Sequence, residues 1–459
     1  MLRSMPKSVQ IQLMVKKAYQ LLAFPGGGTV AWCLSPRGQA PGRRAALHGA
    51  CPTGDRHPSG RTLRCKALPP SLPAMSLRRS AFFIRFLTLG ALAHVYVGAR
   101  LIPDAGLPAA GVAAAILALC ASCVLIPLGM ASHASGRQPW GDRLAAVGLV
   151  AMGYFSSLFV LTVLRDAALL LAWLAALAAL PVPMDALRAA SAPAVPLLAL
   201  AATLLGLANA RRRARVVTVD VPIDALPAAL QGYTIVQISD LHVGPTIKRR
   251  YLQAVVDAVN AAGPDLVAVT GDVVDGPVAH LAPHTQPLAA LRAPDGVYLV
   301  TGNHEYYSGA AAWVQEFRRL GLCVLQNEHR VVRRGDAALV VAGVTDYGAA
   351  AFDASQRSNP AQALAGAPAR AAVRLLLAHQ PRSAAAAAPL GYTLQLSGHT
   401  HGGQFLPWNW FVRLQQPFTA GLHRYGPMWV YTSRGTGYWG PPKRLGAPSE
   451  ITRVRLVRA

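Results

Sequence analysis

Two histidines, His399 and His401, stand two residues apart in the stretch LSGHTHGGQ, with glycines on both sides. On an extended chain that spacing puts both imidazoles on one face, where they could act as a pair of metal ligands. Two solvated histidines on a polar loop would be written with the same letters. The surrounding sequence favours the first reading. QISDLHVG closes on Asp240 and His242, VAVTGDVVDG on Asp272 and Asp275, LVTGNHEYY on Asn303, His304 and Glu305, and LLLAHQP on His379. In open α/β sheets ligands bind just beyond the carboxyl ends of the strands. Strand after strand therefore delivers Asp, Asn and His side chains to one edge. Burying so many polar groups without a strong partner would cost on the order of several kcal/mol. A pair of cations offsets that cost. The mixed oxygen and nitrogen donors suit divalent Mn, Fe, Zn or Co better than Ca.

The elements that must hold these residues are short. Residues 233–239, 265–271, 296–302, 337–344, 373–380, 392–398 and 428–435 read as strands, and 249–263 and 311–321 have helical spacing. Early strands alternate with helices, which predicts an α/β domain around a largely buried sheet.

In order, the motifs D-x-H, GD, GNHE, H and GHTH resemble the calcineurin-like metallophosphoesterase superfamily over about residues 232–459. The apolar N-terminal block, SDLHVG and the late segment RGTGYWGPPKRLGAPSEIT are similar to its membrane-attached bacterial phosphohydrolases, which in turn resemble hydrolases acting on UDP-diacylglucosamine. The resemblance implies a four-layer α/β/β/α sandwich with two divalent metal ions at one edge. One ion would take Asp240, His242, Asp272 and His401, the other Asp272, Asn303, His379 and His399, with Asp272 bridging. It also implies that His304 is a general acid, that Asp275 pairs with it, and that a metal-activated water cleaves a phosphoester or pyrophosphate bond. Glu305, Tyr306 and Tyr307 would shape the site. Protein phosphatases of the superfamily carry an arginine where this chain has Gly276, and purple acid phosphatases a tyrosine where it has Asp275. Neither of those branches is expected.

The chain is 53% hydrophobic and only 14% charged, against about 25% for a soluble domain. Part of it is expected in lipid. Apolar spans at about 81–102, 107–130, 144–164, 167–183 and 190–210 predict five transmembrane helices within 75–215, with four as the alternative because only Arg165 and Asp166 separate the third span from the fourth. These helices read as an anchor for a catalytic domain over 216–459. Residues 1–74 read as a disordered leader, with translation starting at Met75. Four arginines at 211–215 favour a multi-pass inner-membrane protein with its catalytic domain in the cytoplasm, but Arg78 and Arg79 favour the inside too, and five helices cannot satisfy both.

The net charge of +24 favours anionic partners. Phosphorylated small molecules, lipid phosphates and membrane lipid all fit, whereas no nucleic-acid motif is present. Cys323 stands alone after residue 210, so that part holds no disulfide framework, and Cys120 and Cys123 read as packing residues. Trp408, Trp410 and Phe411 read as core or as a membrane-facing lip, and His280, His284, His329 and His423 are not expected to bind metal. The competing functions are a phosphate-binding sensor without catalysis, a phosphodiesterase of soluble substrates, and a transporter. The last is disfavoured by how few charges the spans hold.

Overall fold

The computed structural model describes residues 75–132 and 139–459, with residues 75–82 as helical backbone alone. The expected leader, residues 1–74, lies outside them. Among the described residues, four helices are long and apolar enough to cross a membrane. They are α1 (Met75–Leu101), α2 (Ala109–Ser132), α3 (Trp140–Leu177) and α4 (Met184–Arg211).

Four helices correct the expectation of five. The spans drawn at 144–164 and 167–183 are one helix, α3, of 38 residues, about 57 Å long at a rise of 1.5 Å per residue. Charge alone does not end a helix when the charged groups find partners. The Arg165 guanidinium is buried and meets Asp104 at 2.5 Å, Ser191 Oγ at 2.8 Å and the Arg100 carbonyl at 2.9 Å. Asp166 accepts from the Tyr96 hydroxyl at 2.7 Å and from Arg100 at 2.8 Å. The helix stops only near Ala179, in the left-handed region at φ 60°, just before Pro181. Small residues let α2 and α3 approach closely: a Cβ built on Gly129 would lie 2.7 Å from the Gly148 Cα.

From α4 the chain passes into β1 (Arg215–Ile223) and then into two six-stranded sheets. The first has the order β1-β12-β2-β3-β4-β5, with β2 (Thr234–Ile238), β3 (Leu266–Val269), β4 (Val297–Leu299), β5 (Cys323–Val324) and β12 (Glu450–Arg458). The second has the order β10-β11-β9-β8-β7-β6, with β6 (Glu328–Arg334), β7 (Ala337–Gly343), β8 (Val373–Leu377), β9 (Leu394–Ser397), β10 (Gly421–Tyr425) and β11 (Met428–Thr432). Strands β2 to β5 run parallel, as do β7, β8, β9 and β11. β2, β3, β7 and β9 are buried along their whole length, which is why they are written as unbroken apolar runs.

Between the sheets, Ile235, Leu266 and Leu456 pack against Leu339, Leu375 and Leu396. Outside the first sheet, α5 (Arg249–Ala261) buries Leu252, Val255 and Val259. Three further helices follow: α6 (Val278–Thr285), α7 (Asn303–Ser308) and α8 (Ala310–Arg319), the last burying Trp313 and Phe317. Short helical turns through Ala363, Ala384 and Ala387 cover the second sheet. The layers are α/β/β/α, as expected.

Candidate metal centre

Asp240 and His242 follow β2, Asp272 and Asp275 follow β3, Asn303 and His304 open α7 after β4, His379 follows β8, and His399 and His401 follow β9. Nine non-glycine residues among those described have positive φ, and five of them are Asp240, His242, Asp272, His399 and His401. Such residues are uncommon outside glycine, and each left-handed residue of this kind costs on the order of 1 kcal/mol or more. The turns that leave these strands are bent so that the side chains converge. Glycines make the convergence possible: a Cβ on Gly302 would collide with Asp272, and one on Gly398 with Ser239 and Asp240.

Two clusters result. In the first, His242 Nε2 faces His401 Nε2 at 3.1 Å, and Asp240 Oδ1 lies 3.4 Å from the same His401 nitrogen. In the second, His379 Nε2 lies 3.1 Å from Asp272 Oδ2 and 3.2 Å from His399 Nδ1. Asp272 Oδ2 is also 3.9 Å from His242 Nε2, so this one carboxylate touches both clusters. The ring tautomers are set from outside. His379 Nδ1 donates to the Thr270 carbonyl at 2.7 Å, and His242 Nδ1 to Asp275 Oδ1 at 2.9 Å. That leaves Nε2 of each ring turned inward, the nitrogen a metal-ligating histidine presents once its proton is lost.

Electrostatics points the same way. Burial, then the neighbouring charge of His379, holds His399 well below the ordinary imidazole range. Burial, then His242, does the same for His401. Both rings are neutral and offer lone pairs. Burial alone would raise the Asp272 carboxyl, but the histidines around it, His379 foremost, hold it well below the usual range. Asn303 Oδ1 is buried with no hydrogen-bond partner. An orphaned amide oxygen, facing imidazole lone pairs and a shared anionic carboxylate form a donor set that fits divalent cations.

His304 stands beside the clusters. Its Nδ1 donates to Asp275 Oδ1 at 2.7 Å, and its Nε2 lies 4.0 Å from Asp272 Oδ2. Asp275 therefore accepts from two rings, His304 and His242. The sequence suggested the first contact and not the second. Glu305 is fully buried and binds only backbone, accepting from the N–H groups of Asp272, Val273 and Gly302 at 3.0, 2.7 and 2.7 Å. It clamps the β3 and β4 exits together, the shaping role expected of it.

The sequence profile of the calcineurin-like phosphoesterases matches residues 233–403. A transmembrane protein with metallophosphoesterase domain from Danio rerio is 37% identical over 262 residues, covering 55% of this chain and 60% of the relative. Its counterpart of the same description from Bos taurus is 37% identical over 267 residues, 56% of this chain and 60% of the relative. A metallophosphoesterase of Aquifex aeolicus is 33% identical over 225 residues, covering 48% of this chain and 84% of the relative. The chain belongs to the calcineurin-like phosphoesterases. It spans about 60% of the length of the two animal relatives.

Two residues around this phosphoesterase site escaped the sequence reading. Arg444 is buried and donates to the carbonyls of His401 at 2.9 Å and Arg434 at 2.7 Å, bracing the turn that carries His401. Its neighbour Lys443 inserts between α3 and α4, donating to the Gly153 carbonyl at 3.1 Å, Thr203 Oγ1 at 3.2 Å and Ser157 Oγ. The Arg444 N–H also donates to the Gly206 carbonyl of α4 at 2.9 Å. A signal was present: Lys443 and Arg444 are adjacent charges closing the stretch GYWGPPKR, otherwise made of Gly, Pro and aromatic residues. Lys443 and Arg444 thus link α3 and α4 to the turn that carries His401. Trp408, Trp410 and Phe411 are 43%, 71% and 52% exposed, which removes the core reading, and Trp408 Nε1 donates to Ser156 Oγ of α3 at 3.1 Å. His329 and His423 bond to the backbone carbonyls of Ala363 and Ala420, away from both clusters.

Proposed function

We propose that the chain is a membrane-attached phosphohydrolase with two divalent cations, cleaving a phosphoester or pyrophosphate bond. The observation that carries this is the place of Asp272 Oδ2, 3.1 Å from His379 Nε2 and 3.9 Å from His242 Nε2, between two ligand clusters with His304 alongside. In the proposal Asp240, His242, Asp272 and His401 hold one ion, and Asp272, Asn303, His379 and His399 hold the other. The bound cations would neutralise the phosphoryl oxygens and lower the pKa of a water enough to make it a nucleophile near neutral pH. His304 gives a proton to the leaving oxygen from Nε2. Asp275, on its Nδ1, fixes that ring's orientation. Lys443 and Arg444 keep His401 in register with the helices.

A sensor without catalysis would not need His304 and Asp275 aligned beside the clusters, so hydrolysis is the better reading. Four spans would also ease the conflict over orientation. An even number of spans would return the chain to its starting side, with Arg78 and Arg79 on the same side as Arg211, Arg212, Arg213 and Arg215. The catalytic domain is therefore proposed to be cytoplasmic. Purified full-length protein, stripped of metal and reloaded with Mn, should release nitrophenolate from bis(4-nitrophenyl) phosphate. No release with Mn, Fe, Zn or Co would overturn the proposal.

A further inference from the structure

The two halves of the molecule share one cavity of about 680 Å³, its walls drawn both from the metal centre and from α1, α2 and α3. That size falls within the roughly 300–1,000 Å³ of ordinary ligand pockets. One end is polar and ends on Asp272, Asn303, His304, His399 and His401. The other is walled by Phe86, Leu87 and Ala93 of α1, Ile126 of α2, and Phe155 and Phe159 of α3. His94 is the imidazole in that apolar wall, which also holds Cys123, and its chemistry is used up: Nδ1 lies 2.7 Å from the Gly90 carbonyl, Nε2 lies 3.1 Å from Ser122 Oγ, and its ring stacks on Phe155. It is wall and not a phosphate ligand.

Such a cavity fits neither a fully polar ester nor a hydrocarbon. A soluble phosphate would leave the far end in contact with nothing it can bind, and an uncharged lipid would leave the cation ligands without a partner. We propose that the cleft between α1, α2 and α3 is the tail subsite of the hydrolase, and that the substrate is a phosphate ester carrying one long alkyl or acyl chain. The inference rests on the hydrolase reading above and adds the substrate class. The phosphate sits at the metal centre and the chain runs between the helices. Trp408 and Trp439 stand where the two meet, Trp439 with its ring 5.5 Å from that of His304. Aromatic rings with a polar edge suit that headgroup level. Hydrolysis breaks one P–O bond, adds the oxygen of water to phosphorus and passes a proton to the leaving oxygen, so no other reactant is needed.

Gly90 offers a clean way to test this. It lines the cleft, and a Cβ added there would meet no atom within 4 Å. Gly90→Trp is therefore placed to fill the cleft from a position with room for its Cβ, and Ala93→Trp, on the same wall three residues on, is the second variant. Full-length protein in nanodiscs would be given bis(4-nitrophenyl) phosphate and hexadecyl 4-nitrophenyl phosphate, which release the same nitrophenolate. Wild type should favour the hexadecyl ester, and either tryptophan variant should lose at least tenfold on it with less than twofold change on the short diester. Partitioning into the nanodisc is the same for all three proteins, so the difference reports the cleft. A hexadecyl phosphonate with a tail diazirine should label peptides of α1 to α3 in wild type and not in the variants, while a phosphate-free diazirine alcohol should not distinguish them. Equal hexadecyl turnover and equal phosphonate labelling in wild type and both variants would overturn the tail subsite. Loss of turnover on both esters in wild type itself would overturn the hydrolase reading instead.

Discussion

The helical block and the metal centre both bury charge, but they treat it differently. In the helices the Arg165 and Asp166 pair is matched by opposite or hydrogen-bonding partners: Arg165 faces Asp104, and Asp166 faces Arg100 and Tyr96. At the strand ends some groups also meet their own kind. Imidazole nitrogens meet at 3.1 Å and 3.2 Å, and the Asn303 amide oxygen has no donor. A closed set of polar groups holds a structure together, whereas a set of converging lone pairs needs a cation to complete it. The difference separates scaffold from chemistry without reference to any motif.

Asp272 should show the largest effect. Asp272→Ala removes the carboxylate common to both clusters and should abolish turnover along with most metal binding, measured by elemental analysis and nitrophenolate release. Full occupancy in that variant would contradict the shared-ligand assignment. His304→Ala should keep its metal and lose about 10²–10⁴-fold in kcat. The loss should be smaller for a nitrophenolate leaving group, which needs no proton, than for an alkoxide. Equal losses on both would mean that His304 is not the acid. Asp275→Asn weakens the orientation of both His242 and His304 and should cost about 10–100-fold, the usual worth of a residue behind a metal ligand.

The helical charges should behave in the opposite way. Arg165→Leu alone strands Asp104 and should lower the Tm, while Arg165→Leu with Asp104→Leu should recover much of it, because a buried pair can be replaced together. Turnover of the short diester should stay within about twofold in the double variant, as no catalytic role rests on the pair. Lys443, the tie between the two regions, gives the smallest effect. Burial pushes its ammonium down to about 8 from 10.5. Between those values the unfolded chain holds the proton and the folded chain does not, so stability rises with pH in that window. The Tm of wild type relative to Lys443→Met should improve from pH 7 to pH 9.5. An unchanged difference would show that the ammonium is not confined between α3 and α4.

The cluster residues were legible in the sequence because chemistry at strand ends must be written locally. Each polar residue directly follows a buried apolar run, as in QISDLH and LQLSGHTH. The strands that bear them were found for the same reason. β1, β5, β6, β10 and β12 went unread. β6 and β10 are half-exposed antiparallel edge strands with arginine and histidine in them, so no apolar run marks them. β12 alternates buried and exposed residues, and its pairing with β1 joins segments more than 200 residues apart. Lys443 and Arg444 stand out as adjacent charges, but the bond from Arg444 to the His401 turn and the second contact of Asp275 depend on tertiary placement and could not be read. The fifth helix was misread because Arg165 and Asp166 resemble a loop until their partners on α1 and α4 are known.

The account rests on two cations sharing one carboxylate, and metal stoichiometry tests that most directly. Full-length protein reloaded with Mn and freed of excess should hold about two ions per chain by elemental analysis. A variant lacking both His379 and His399 side chains (His379→Ala with His399→Ala) should hold about one, because the cluster of Asp240, His242, Asp272 and His401 remains. A single ion in wild type, or two in the double variant, would contradict the arrangement.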